Sequence, residues 1–396
     1  MTAMTAGVAR ASAARLAGLL GCALAAALGS GCASGPEASR APWEGPLTPQ
    51  TQAIGKAVDR AIRHAGTATV AVAYLDLANG GRVQRYETRP FHAASTMKVP
   101  VMIAAWAAAD QGTLAMDQPI AVRNEFRSIV DGSRYRLSPE DDGDPDLYAA
   151  VGSTRPLADL VRHMIVRSSN LATNLIIEQL GASRVMDVMR QLGAYNVQVL
   201  RGVEDEKAFR AGFNNEVDAA DLALLLGAIA RAAGYPAAAG AGAAAGAGSA
   251  AAAPGPQGPP GAPQEAGDEP PAAPLITRRA AAAMLEVLEA QEFNEKIPAG
   301  LPPGTPVAHK TGDITGFHHD AGIVFPPGEP PYVLVVLTSG FAREEEANRF
   351  IAELSRGVWG ARRSPPPAGS RRRAARGPAR DERPGTFLPR DRYREG

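Results

Sequence analysis

Apolar positions near the start of the chain recur with a helical period and then give way to strand-like runs. Ile54, Val58, Ala61 and Ile62 fall on one face, Thr48 and Pro49 stand where a cap and first turn belong, and Gly66 supplies a stop. Thr69 to Leu77 reads as a buried strand, Asn79-Gly80-Gly81 as a tight turn, and Arg82 to Glu87 as the antiparallel return. Strand signals come back only near the far end, at Val307 to Thr311, Asp320 to Phe325 and Tyr332 to Leu337. The last is continuously apolar, as suits a central strand. Ala347, Phe350, Ile351, Leu354 and Val358 then mark a closing amphipathic helix. Strands from both ends of the chain must therefore meet in one sheet.

Between them the period is helical. Pro156 opens a helix with Leu157, Leu160, Val161, Met164 and Ile165 on one face, and the pattern halts at Arg167. It resumes from Leu171 to Leu180, stops at Gly181, and returns with Val185, Val188, Met189 and Leu192 before Gly193. Leu222, Leu225, Leu226 and Ile229 mark another helix, and Thr277 caps one carrying Met284, Leu285 and Leu288. The expected fold is α+β: an antiparallel sheet flanked by terminal helices, with an inserted all-helical subdomain. A cleft between two such parts is a favoured place for a site.

Composition removes three segments from this domain. Arg10 and Arg15 precede an apolar run from Leu16 to Leu28, and Gly29, Ser30 and Gly31 lead to Cys32, so residues 1–32 read as an export signal. The run is shorter than the roughly 20 residues a membrane span needs. Cys32 resembles the lipid-attachment cysteine of bacterial lipoproteins, which makes it a candidate anchor; ordinary cleavage with release to the periplasm or medium stays open. Cys22 would leave with the signal, so no intramolecular disulfide is expected. Residues 33–47 read as a linker. About 234–274 is nearly all Ala, Gly and Pro and reads as a disordered insertion. Residues 361–396 carry eleven arginines against four acidic residues, a basic solvated tail that the formal net charge of zero conceals. The domain proper is then 48–360. No nucleic-acid partner is expected, and a monomer is.

Chemistry concentrates in three polar clusters. In Ser95-Thr96-Met97-Lys98 a lysine three residues after a serine shares its helical face and can take the proton of a hydroxyl that is otherwise a weak nucleophile. Ser168-Ser169-Asn170 falls in the interruption between two helices, where polar side chains can project into a cleft. His309-Lys310-Thr311-Gly312 lies on a predicted strand, so Lys310 and Gly312 share a face and the missing side chain at Gly312 admits a substrate to the backbone. His318-His319-Asp320 invites a metal reading, but neighbours on a strand point to opposite faces, and no metal is expected. The Gly-rich insertion lacks a following Gly-Lys-Ser/Thr, so nothing points to phosphate binding.

With these clusters in that order, the chain resembles a class A β-lactamase, within the wider group of penicillin-recognising serine enzymes. The likeness spans 48–360 apart from the insertion, and is carried by Phe91 to Met102, Met164 to Leu175 and Val307 to Val324. It implies a β-lactamase/transpeptidase-like fold and a nucleophile, Ser95, that is acylated with Lys98 accepting its proton directly or through water. It further implies that Ser168 passes a proton to the departing nitrogen, that Asn170 holds the substrate's side-chain amide, and that Lys310 and Thr311 bind its carboxylate. Gly312 would open the strand to the substrate, and the backbone N–H groups of Ser95 and Asp313 would form the oxyanion hole. No cofactor is implied.

Two positions depart from the family pattern. Members usually carry Glu-x-x-Leu-Asn after an arginine, the glutamate activating the water that releases the acyl group. Here Arg201-Gly202-Val203-Glu204-Asp205-Glu206-Lys207-Ala208 follows the arginine without that motif, and Asn214-Asn215 resembles the loop's end. Glu204 is the candidate water activator and Glu206 a weaker one. Ser169 stands where an aspartate is common. The resemblance therefore implies a serine hydrolase opening β-lactam rings. A D-alanyl-D-alanine carboxypeptidase acting on peptidoglycan stem peptides, a penicilloyl sensor without turnover, and a cell-wall binding module remain open.

Overall fold

A computed structural model describes residues 48–235 and 274–363. The readings of residues 1–47, of most of the insertion and of the basic stretch past 363 lie outside the described residues. In chain order the elements are α1 (Pro49–Arg63), β1 (Thr69–Asp76), β2 (Arg82–Arg85), β3 (Phe91–His92), a 3₁₀ turn (Ala94–Met97), α2 (Lys98–Asp110), β4 (Pro119–Ala121), β5 (Phe126–Arg127) and β6 (Arg134–Tyr135). There follow β7 (Thr154–Pro156), α3 (Leu157–Val166), α4 (Asn170–Leu180), α5 (Ala182–Gln191), α6 (Glu206–Arg210), β8 (Glu216–Val217) and α7 (Ala219–Ala232). After the insertion come α8 (Arg278–Glu289), β9 (Val307–Ile314), β10 (Phe317–Val324), β11 (Tyr332–Ser339) and α9 (Glu344–Arg363).

Strands from the two ends of the chain do join: the main sheet has the order β2-β1-β11-β10-β9, with each neighbouring pair antiparallel. Alternation along its central strands sorts the core into two layers. Ala71, Ala73, Leu75, Val333, Val335 and Leu337 pack with the helical block, whereas Val70, Val72, Tyr74, Tyr332, Leu334 and Val336 pack with Ile54, Val58, Phe350, Ile351 and Leu354 of α1 and α9. Both faces are covered, which is why β1 and β11 are almost uninterrupted apolar runs. Each fully buried aliphatic side chain here contributes about 1.5–3 kcal/mol.

Local signals explain the helix starts. Thr48 and Thr51 form a reciprocal cap at α1, and Thr277 caps α8. α2 runs through the centre of the helical block and is buried nearly all round, including Val99, Met102 and Ile103, as expected of a helix apolar on every face. Among the described residues no helix is long and apolar enough to cross a membrane.

The structure shifts the bounds of several expected elements. β9 continues past Thr311 to Ile314, and β10 begins at Phe317 instead of Asp320, because the two pair as a hairpin from Phe317↔Ile314 onward. β2 ends at Arg85, where Tyr86 turns to φ 51°. α9 passes the expected domain end at Gly360 and reaches Arg363. Arg362, read from sequence as part of a solvated tail, is buried: its guanidinium donates to Asp76 Oδ2 at 2.9 Å and to the Tyr74 hydroxyl, and lies 4.4 Å from the Tyr332 ring centroid. That partner is distant in sequence, so no local pattern announces it.

Candidate active site

Ser95 lies on the 3₁₀ turn leading into α2, not on an α-helix. In that geometry side chains at i and i+3 eclipse, which stacks Lys98 directly over Ser95. The turn is held from behind: Ala93 N donates to Asn215 O at 2.8 Å, and Thr96 Oγ1 donates to Ala93 O at 2.6 Å. Lys98 Nζ donates to Ser95 Oγ at 3.0 Å, Ser168 O at 2.6 Å, Ser168 Oγ at 3.1 Å and Asn170 Oδ1 at 2.9 Å. The ammonium is wholly buried, and desolvation pushes its pKa down to about 7, against the opposing pull of Asp142 and Glu204.

Ser168 sits in the break between α3 and α4 with φ 59°, a left-handed conformation that aims its side chain back toward both lysines. Its Oγ accepts from Lys98 and from Lys310, each at 3.1 Å, which leaves its own proton free to be donated elsewhere. Ser169 caps α4 by accepting from Ala172 N at 3.2 Å, so the residue that departs from the family pattern still supports the turn. Asn170 opens α4; its Nδ2 donates to Glu204 Oε1 at 2.9 Å.

β9 is the edge strand of the sheet and runs against the serine turn. A Cβ built at Gly312 would lie 3.0 Å from Thr96 N and 3.2 Å from Ser95 N, so glycine is what allows the strand this close. Lys310 is fully buried, donates also to Thr311 O at 3.0 Å, and has a pKa held well below the ordinary lysine value by burial and by the neighbouring Lys98. Thr311 is buried on the same strand. Asp313 follows, one oxygen accepting from Lys296 Nζ at 2.6 Å and the other 2.9 Å from His318 Nδ1.

The loop that carries Glu204 is clamped at both ends. Asn215 Oδ1 accepts from Leu200 N at 2.8 Å and from Arg201 N at 3.2 Å, while Arg201 Nε donates to Phe213 O at 2.7 Å. Asn174, on α4, accepts from Val203 N at 2.6 Å and donates to Val203 O at 3.0 Å. Glu204 itself has φ 60°, and its half-buried carboxyl is raised above its ordinary value by desolvation. Glu206 is not brought to the site: it begins α6 with an exposed side chain and pairs with Arg210 at 2.9 Å.

The histidines have separate partners. His309 Nδ1 lies 2.9 Å from Asp320 Oδ1. His319 accepts from Thr338 N through Nδ1 and meets His92 O through Nε2, a pairing that fixes the neutral tautomer, and burial lowers its pKa to about 4. Among the described residues no group of three or more His, Cys, Asp or Glu side chains could hold a metal ion.

Three residues at the site escaped the sequence reading. Asn174 follows Asn170 by one helical turn, a spacing that could have flagged it. Asp142 accepts from Asn170 N at 2.9 Å and Leu171 N at 2.9 Å, and its signal was the Asp142-Gly143 pair inside an acidic run. Lys296 lies between regular elements with no pattern to mark it.

Ser95, buried Lys98, Ser168, Asn170, Lys310 and Glu204 thus form one hydrogen-bonded polar network beside the edge of an antiparallel sheet. The family model described as the beta-lactamase enzyme family matches residues 53–240 and 273–361, and the chain belongs to that family. A beta-lactamase from Streptomyces fradiae is 40% identical over 72 residues, which cover 18% of this chain and 24% of that protein. The match thus spans about a quarter of the length of that curated relative. Among solved structures, a PBP-A mutant held as an acyl-enzyme complex with penicillin-G superposes with TM-score 0.57 at 23% identity, covering 80% of this chain and 97% of that one. The beta-lactamase from Sphaerobacter thermophilus DSM 20745 gives TM-score 0.57 at 24% identity, over 80% and 99% of the two chains. These likenesses show a β-lactamase/transpeptidase-like fold.

Proposed function

We propose that the protein is a serine hydrolase of class A type that opens β-lactam rings through an acyl-Ser95 intermediate. The observation that carries this reading is the 3.0 Å hydrogen bond between Lys98 Nζ and Ser95 Oγ, made by a lysine whose burial brings it near neutrality at pH 7. Neutral Lys98 takes the Ser95 proton, Oγ bonds to the ring carbonyl carbon, and the N–H groups of Ser95 and Asp313 receive the developing oxyanion. Collapse breaks the ring C–N bond, and the nitrogen takes a proton from Ser168 Oγ, which in turn takes the proton that Lys98 removed from Ser95 and so returns Lys98 to its neutral form.

Lys310 and Thr311 bind the substrate carboxylate at the strand edge, and Asn170 its side-chain amide. In the second half, Glu204 takes a proton from water, the water oxygen bonds to the ester carbon, and as the ester C–O bond breaks Ser95 Oγ takes up that proton by way of Lys98, which leaves Glu204 ionised and Lys98 neutral as at the start. The Asn170–Glu204 hydrogen bond supports that role, since it brings the carboxylate into the same network. The export reading of residues 1–32, with Cys32 as a lipid anchor, gives the enzyme an address outside the cytoplasmic membrane.

Purified full-length protein mixed with a chromogenic cephalosporin tests the reading. Steady turnover is the expected result. A single stoichiometric burst with a persistent adduct would make the protein a penicillin-binding peptidase or sensor instead, and no adduct at all would leave only a binding module.

A further inference from the structure

The first turn of α4 is capped in part by a carboxylate from a distant loop. Its four leading N–H groups are all satisfied: Ala172 by Ser169 Oγ, Thr173 by Ser169 O, and Asn170 and Leu171 by the carboxylate of Asp142. Asp142 comes from a separate loop, is almost fully buried, and also accepts from Tyr148 OH at 2.9 Å and Asp144 N at 3.0 Å. The loop lies hard against the Ser168 turn: a Cβ at Gly143 would stand 2.3 Å from Arg167 O, so glycine is what allows the approach.

A neutral cap would have completed the helix; an anion does something more. The residue it grips is Asn170, whose side chain accepts from Lys98 and donates to Glu204. We propose that Asp142 is a positioning residue of the acylation step, fixing Asn170 through its backbone and holding the Lys98 ammonium in the network by its charge. The inference rests on the acyl-Ser95 reading above. The charged groups facing Lys98 are Asp142, Glu204 and Lys310; near Asp142 stand Lys98, Glu204 and the neutral, titratable Tyr148 hydroxyl. Burial drives Lys98 down, and Asp142 leads Glu204 in resisting it.

Acylation of full-length protein by a fluorescent penicillin, followed by stopped flow from about pH 5 to 9 alongside circular dichroism, tests this. In Asp142→Asn the plateau rate should fall about tenfold to a hundredfold as Asn170 loosens. The acid limb should move to lower pH by roughly one unit, because Lys98 has lost its main anionic neighbour. A slower plateau with the limb unmoved would mark a merely structural role and overturn the inference, as would a rate within twofold of wild type. If Asp142→Asn does not fold, the limb in Glu204→Gln decides: held in place, it leaves Asp142 as the anion that holds Lys98, whereas a drop of about one unit assigns that role to Glu204 and overturns the inference. Wild type that is never labelled would instead sink the acyl-Ser95 reading itself.

Discussion

Asn170 Nδ2 donates to Glu204 Oε1 at 2.9 Å, while Asn170 Oδ1 accepts from Lys98 at 2.9 Å. One amide thus joins the base proposed for acylation to the base proposed for deacylation. Its two ends are not interchangeable, since Lys98 can only donate at Oδ1 and the carboxylate can only accept from Nδ2.

Glu204→Gln keeps the shape of the side chain but removes the proton acceptor for water. Acylation should remain fast and release of the acyl group should slow by about a hundredfold to ten-thousandfold. Mass spectrometry should find a long-lived adduct whose mass equals protein plus penicillin. Unchanged steady-state turnover would remove Glu204 from the mechanism.

Ser95→Ala deletes one oxygen at a half-buried position, and the turn is held by Ala93, Thr96 and Asn215 without it. Thermal unfolding should therefore stay close to wild type while covalent labelling disappears. Labelling that persists would place the nucleophile elsewhere.

Lys98 predicts two consequences of acid, and both are losses. Its pKa in the folded protein is about 7, below the 10.5 of an ordinary lysine, so the unfolded chain carries a proton between those values that the native state lacks. Stability contributed by this group rises with pH across that window and is lost as pH falls toward 7. Acylation needs the neutral amine, so its rate should climb through pH 7 and level off above it. Lys310, shifted in the same direction, adds to the stability slope. Urea titrations at several pH values, beside stopped-flow acylation, check both signs; an acylation rate flat from pH 5 to 9 would rule out Lys98 as the base.

Much of this was legible in the chain, and what was missed has a common cause. The alternating and continuous apolar runs located β1 and β11, and Thr48 and Thr277 marked their helices, because those signals are local. Ser95, Lys98, Ser168, Asn170, Lys310 and Gly312 could be drawn together on motif spacing. The 3₁₀ geometry beneath Ser95 could not, since it depends on β3 pairing with β8 and on Asn215 behind the turn. Asp142 and Lys296 reach the site from irregular segments, where period carries no information. Glu204 was a candidate from its place after Arg201 and the count back from Asn214-Asn215; what positions it, Asn174 and Asn170, lies on another helix.

The end of α9 offers the clearest stability test. Arg362 and Asp76 are both nearly inaccessible, and the guanidinium also contacts Tyr74 and Tyr332, far from Ser95 in the fold's other layer. Arg362→Met keeps most of the apolar stem but strands a buried carboxylate, which typically costs about 3–5 kcal/mol. Adding Asp76→Asn removes the stranded charge and should recover a large part of that loss, because a neutral amide is cheaper to bury than an unpaired anion. Urea unfolding of the two single variants and the double variant measures the coupling. Acylation by penicillin should be unaltered in each folded variant. A loss under about 1 kcal/mol in Arg362→Met would mean that the helix end is a solvated surface pair and not a latch between the terminal helix and the sheet.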